Sequence, residues 1–79
     1  MVIVYSTTWC AYCHAAMEYL DKLGVKYEDR DIEKNPAAAK EIVDKSGQMG
    51  IPVIDIDGTI IVGFDRSRIN AALKDKKLI

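Results

Sequence analysis

Two rhythms of apolar and polar residues run along this chain. Val2-Ile3-Val4-Tyr5 is an unbroken apolar, β-branched run, the pattern of a strand covered on both faces. Ser6, Thr7 and Thr8 interrupt it with hydroxyls able to cap a helix. From about Cys10 the rhythm turns helical: Cys13, Ala16, Met17, Leu20 and Leu23 form one apolar stripe, with Glu18, Asp21 and Lys22 off it. Gly24 suits the stop. Val25 to Asp31 alternates weakly, Val25 and Tyr27 one way, Lys26, Glu28 and Arg30 the other, and its charge predicts an edge strand. Asn35-Pro36 opens a second helix, with Asn35 as cap and Pro36 at the first helical position. Ala39, Ile42 and Val43 are its expected inner face and Gly47 its end.

Gly50-Ile51-Pro52 leads into Val53-Ile54-Asp55-Ile56, and Thr59-Ile60-Ile61-Val62 follows after Asp57-Gly58. Two β-rich runs joined by Asp-Gly predict a hairpin. Gly63 closes the second run, and Asp65 caps a last helix that turns Ile69, Ala72 and Leu73 inward. Lys74, Lys76 and Lys77 lie near its end, as the helix dipole favours. The order βαβαββα predicts an α/β fold: a four-stranded mixed sheet flanked by three helices, with a right-handed crossover in the first unit. Neither repeat nor linker divides the chain, so residues 1–79 are read as a single domain.

Composition narrows the possibilities. The chain is 49% hydrophobic and 29% charged, an ordinary globular balance. Its net charge of −1 has both signs scattered, without the basic stripe that nucleic acid requires. The apolar runs fall short of the roughly 18 residues of a membrane span. No leader pattern precedes the first strand, so a cytoplasmic location is expected.

The two cysteines, Cys10 and Cys13, enclose two residues. Closing so small a loop is worth only about 2 kcal/mol by chain entropy, which makes the pair a poor staple. A closed zinc site needs four ligands, and the only other soft ligand is His14. The place of the pair, where a strand ends and a helix begins, suits redox chemistry. A thiolate is the reactive form of cysteine, and the N–H groups and dipole of a first helical turn stabilise it. Cys10 is expected exposed at that turn as the nucleophile, with a pKa below the free-thiol value. Cys13, one turn further in, is the resolving thiol.

Ile3 to Cys13, with Trp9-Cys10-Ala11-Tyr12-Cys13 at its end, resembles the active-site segment of glutaredoxins and glutaredoxin-like redoxins, within the thioredoxin fold. Gly50-Ile51-Pro52-Val53 resembles that family's substrate-facing loop, and Ile56-Asp57-Gly58 and Val62-Gly63-Phe64-Asp65 its hairpin and last-helix turn. The resemblance implies a dithiol–disulfide oxidoreductase that reduces protein or small-molecule disulfides. It implies a cis Pro52 with Ile51 presented beside Cys10. It also implies a substrate or glutathione surface drawn from Thr8, Trp9, Tyr12, Ile51, Pro52, Phe64 and Asp65. No tightly bound cofactor or metal is implied. The expected protein is a monomer recharged by glutathione or thioredoxin reductase.

Four positions depart from the family. Ala11 stands where proline is usual, Thr7 where a lysine is common, Arg66 where a second aspartate holds the glutathione amine, and Phe64 where a small residue or cysteine is common. Loss of the two charged contacts removes about 1.5–3 kcal/mol each from a glutathione site. The balance therefore tips away from glutathione as sole reductant. The alternative reading is a [2Fe–2S] carrier that uses Cys10 in a dimer. Of the remaining candidates, His14 is read as a solvated helix residue and Tyr12 as exposed.

Overall fold

A computed structural model of the chain describes residues 1–48 and 50–79. The elements follow the expected order: β1 (Val2–Ser6), α1 (Ala11–Lys22), β2 (Glu28–Asp31), α2 (Pro36–Ser46), β3 (Val53–Ile56), β4 (Thr59–Val62) and α3 (Arg66–Asp75). The sheet runs β2-β1-β3-β4, with β1 parallel to β2 and antiparallel to β3, and β3 antiparallel to β4. The charged strand lies at the edge, as its sequence demands, but begins at Glu28 rather than Val25. Val25 is still buried, packed against the core just before the strand.

Strand alternation sorts the core into two faces. Val2, Val4, Ile54, Ile56 and Ile61 meet Ala16 and Leu20 of α1 and Ile69, Ala72 and Leu73 of α3. Ile3, Tyr5 and Val53 meet Ala38 and Ile42 of α2 on the other side. The inner stripe of α2 is therefore Ala38 and Ile42, not Ala39, Ile42 and Val43, and Val43 is exposed. Positions 38 and 42 are one i, i+4 row, and that row meets Ile3, Tyr5 and Val53, with Ile60 of β4 packed beside them. Leu23 likewise falls off the α1 stripe, because the helix ends at Lys22 and leaves it at the C-cap.

The Asp57-Gly58 hairpin forms as expected, with φ of 49° and 100° at its two turn residues, both in the region that type I′ turns require. Asp55 Oδ1 accepts the Gly58 N–H at 2.8 Å and steadies the turn. Gly47, at φ 75°, ends α2 as a left-handed C-cap. Asn35 sits at the N-cap of α2 but makes no capping bond. Asp31 holds the preceding turn, its Oδ1 accepting from Glu33 N at 2.9 Å.

A polar cluster lies beside the α2 face. Tyr5 is fully buried, and its hydroxyl donates to Glu41 at 2.7 Å and accepts from Lys45 at 2.8 Å. Lys45 also donates to Asp55 at 2.7 Å, and Arg30 bridges Glu41 and Glu28. Burial raises the Tyr5 pKa above its ordinary value. The bond to Asp55, then that to Tyr5, raises Lys45, while the Tyr5 hydroxyl bond leads in lowering Glu41.

Candidate active site

Three segments meet at one end of the sheet because the strand register brings them there. The C-terminal end of β1 pairs with the start of β3, Tyr5 against Val53, and Val53 faces Val62 at the end of β4. The loop to Cys10, the Ile51-Pro52 dipeptide and the Gly63-Phe64-Asp65 turn therefore share that end. A backbone bond from Gly63 N to Pro52 O at 2.8 Å ties the last two together.

Cys10 is itself the N-cap of α1, with extended backbone (φ −87°, ψ 109°). Its Sγ accepts the Cys13 N–H at 3.1 Å, and the two cysteines are joined as a disulfide with Cα atoms 5.2 Å apart. The hydroxyls expected to cap the helix do other things. Ser6 donates to Asp29, Thr8 is exposed, and the buried Thr7 Oγ1 has no hydrogen-bond partner among the described residues. The Cys10 sulfur takes their place at the start of the first turn.

Burial corrects a second expectation. Cys10 is only 8% exposed, and Cys13 is fully enclosed. Cys10 is bonded to the enclosed Cys13 and accepts its N–H, which keeps its sulfur close to the covered one. It remains the more accessible of the two. The N–H it accepts is the type of group that stabilises a thiolate at a first turn.

The surrounding residues divide into exposed and embedded groups. Trp9 and Tyr12 flank Cys10 in the sequence and are 72% and 70% exposed. The Trp9 Nε1–H donates to Glu33 at 2.6 Å. Pro52 is fully buried and its bond to Ile51 is cis, as the resemblance implied; Ile51 packs partly buried against the α2-side core. Phe64 packs against the α1 and α3 core and meets the Tyr19 ring edge-on at 6.1 Å. It also lines a groove of about 300 Å³ with Tyr19 and Arg66. Asp65 caps α3, its carboxylate accepting the Arg68 N–H at 3.1 Å. His14 is exposed, with Nε2 at 2.9 Å from the Thr8 carbonyl. A carbonyl only accepts, so that bond requires the proton on Nε2.

Local pattern reading missed Glu33 and Asp29. Both lie in or just after β2, and their neighbours become visible only when β2 is paired with β1 in parallel, Ser6 beside Asp31. Among the described residues, no three His, Cys, Asp or Glu side chains gather as a metal site. Nor is any described helix long and apolar enough to cross a membrane.

Comparison with known proteins agrees with this geometry. The sequence model of the glutaredoxin family matches residues 2–61. A glutaredoxin-like 8.6 kDa protein encoded in the rubredoxin operon of Clostridium pasteurianum is 35% identical over 74 residues, covering 94% of this chain and 99% of that one. Glutaredoxin 3 of Escherichia coli K12 is 36% identical over 64 residues, covering 81% of this chain and 77% of its own. A thioredoxin-like protein of known crystal structure superimposes with a TM-score of 0.87 at 27% identity, covering 92% of this chain and all (100%) of that one. With the βαβαββα order and the cysteine pair at the start of α1, these matches show that the chain belongs to the glutaredoxin family of thiol–disulfide oxidoreductases.

Proposed function

We propose that Cys10 is the attacking thiol and Cys13 the resolving thiol in the reduction of protein or small-molecule disulfides. The Cys10 thiolate forms a bond to one target sulfur as the target S–S bond breaks, and the leaving sulfur takes up a proton. Deprotonated Cys13 then attacks Cys10 Sγ and releases the second target sulfur as a thiol. Two electrons have moved, and the Cys10–Cys13 disulfide remains. The observation that carries this assignment is the asymmetry of the pair. Cys10 caps the helix and receives a backbone N–H, while Cys13 is sealed beneath it. Thr8, Trp9, Tyr12, Ile51, Phe64 and Asp65 form the rim against which a substrate docks, with the buried Pro52 setting the backbone beneath it.

The recharging donor in this proposal is thioredoxin reductase, not glutathione alone. Thr7 offers a buried hydroxyl in place of a cation. The Arg66 guanidinium lies 5.5 Å over the Tyr19 ring, and the Asp65 carboxylate is already engaged by its own helix. A glutathione carboxylate and amine thus lose two charged anchors. In this proposal residues 1–79 act as one domain, monomeric and cytoplasmic, with no tightly bound cofactor.

The test is loss of NADPH absorbance with a small disulfide substrate and two feeds, either glutathione with glutathione reductase or thioredoxin reductase alone. Turnover with thioredoxin reductase alone is expected. Turnover only with glutathione would overturn the choice of donor. Failure of reduced protein with both would favour the iron–sulfur reading, which a brown dimer after anaerobic reconstitution would then support.

A further inference from the structure

We infer that Glu33 is a positioning residue of this oxidoreductase, acting on protein substrates through Trp9. The inference rests on Trp9 being part of the substrate rim. An indole 72% exposed has little packing to hold it. It is instead held at its one polar atom, where Nε1–H donates to Glu33 Oε1 at 2.6 Å, a charge-assisted bond. The anchor is in turn built into the fold. Asp31 Oδ1 accepts from Glu33 N at 2.9 Å and from Lys34 N at 3.4 Å, and the Asp31 carbonyl accepts from Asn35 N at 2.9 Å. Ile32 N donates to Ser6 O at 3.0 Å, which fastens this turn to the end of β1, from which the Cys10 loop departs.

Both ends of the Trp9–Glu33 bond therefore hang from paired strands. The result is an aromatic wall of fixed orientation next in sequence to the nucleophile. A wall already ordered spares an arriving polypeptide the entropy of ordering it. The bond forms no part of the sulfur chemistry, so its loss weakens docking and leaves the exchange steps intact. The expected signature is a raised KM with kcat held.

Trp9 is the only tryptophan in the chain, so its fluorescence reports this contact alone. Insulin reduction with dithiothreitol as reductant gives KM and kcat without any recharging enzyme. Glu33→Ala should raise KM for insulin about three- to tenfold, the range of one exposed hydrogen bond, with kcat within about twofold. It should also lower the steady-state anisotropy of Trp9. Glu33→Gln keeps a carbonyl acceptor and should restore most of both. Native KM and anisotropy in Glu33→Ala would overturn the inference, and so would a fall in kcat at native KM. Trp9→Ala separates the two layers of argument. A raised KM there beside a native Glu33→Ala removes only the role of Glu33, whereas a native KM in Trp9→Ala removes Trp9 from the rim.

Discussion

Replacing Lys45 by methionine tests the polar cluster beside α2. The substitution keeps the length of the stem and deletes the ammonium that donates to both Tyr5 and Asp55. Breaking a fully buried ion pair costs about 3–5 kcal/mol, because the abandoned partner stays charged and dry. Here the side chains of Lys45 and Asp55 are 31% and 11% exposed, and Asp55 keeps the Gly58 N–H, so the expected loss falls to about 2 kcal/mol. In a domain this small, that lowers Tm by about 8–16 °C. The pH dependence follows from the same contacts. Lys45 and Tyr5 both have folded-state pKa values above their ordinary ones, Lys45 through its bond to Asp55 and Tyr5 through burial. Stability from each is complete below about pH 10 and fades as the pH rises through the raised values. Glu41, lowered first by the Tyr5 hydroxyl, contributes in the opposite sense. Its share is complete above about pH 4.3 and fades as the pH falls through the lowered value. Urea unfolding of the wild type, Lys45→Met, Asp55→Asn and the double variant at pH 7 and pH 10.5, with the wild type also at about pH 3, below the ordinary Glu value, measures all of this. A coupling of about 1 kcal/mol or more is expected at pH 7, smaller at pH 10.5. A Lys45→Met loss under about 0.5 kcal/mol, or strictly additive variants, would refute the reasoning.

Other substitutions separate chemistry from architecture. Cys10→Ser should abolish insulin reduction, whereas Cys13→Ser should accumulate a mixed disulfide visible by intact mass. The reverse pattern would exchange their roles. Asp65→Ala removes the cap of α3 and should cost about 1 kcal/mol in urea unfolding, most of it restored by Asp65→Asn. Ile42→Ala should cost about 2–5 kcal/mol and Val43→Ala much less, since only Ile42 is enclosed. Equal losses would contradict the assigned inner face of α2.

Elements announced by local patterns are legible in the amino-acid sequence itself. The β1 run, the Asp57-Gly58 hairpin, the α3 cap and stripe, and the charged edge strand all obey rules that act within a few residues. Cys10 and Cys13 are legible for the same reason, since their spacing and the strand before them are local. What stays hidden depends on partners distant in sequence. Three consecutive alanines, Ala37 to Ala39, leave the phase of α2 open, and the packing of Ile42 against Tyr5 and Val53 decides it. Propensity favours a hydroxyl cap for α1, but Cys10 stands at that position and its sulfur accepts the bond. Trp9 meets Glu33 across 24 residues, and Lys45 lies 40 residues from Tyr5, so neither pair has a local signal.

The unequal faces of the sheet give the molecule a graded resistance to opening. Among the described residues, one cluster joins eleven buried side chains under α1 and α3, and the other joins five under α2. Local unfolding begins where apolar contact is thinnest, so hydrogen exchange should reach the amides of α2 before those of α1 and α3. The cysteine helix belongs to the thicker half. Fluctuations that loosen α2 leave the helix that begins at Cys10 held by the larger cluster through Ala16 and Leu20. The protein can thus open beneath α2 while the helix bearing the sulfur pair stays packed.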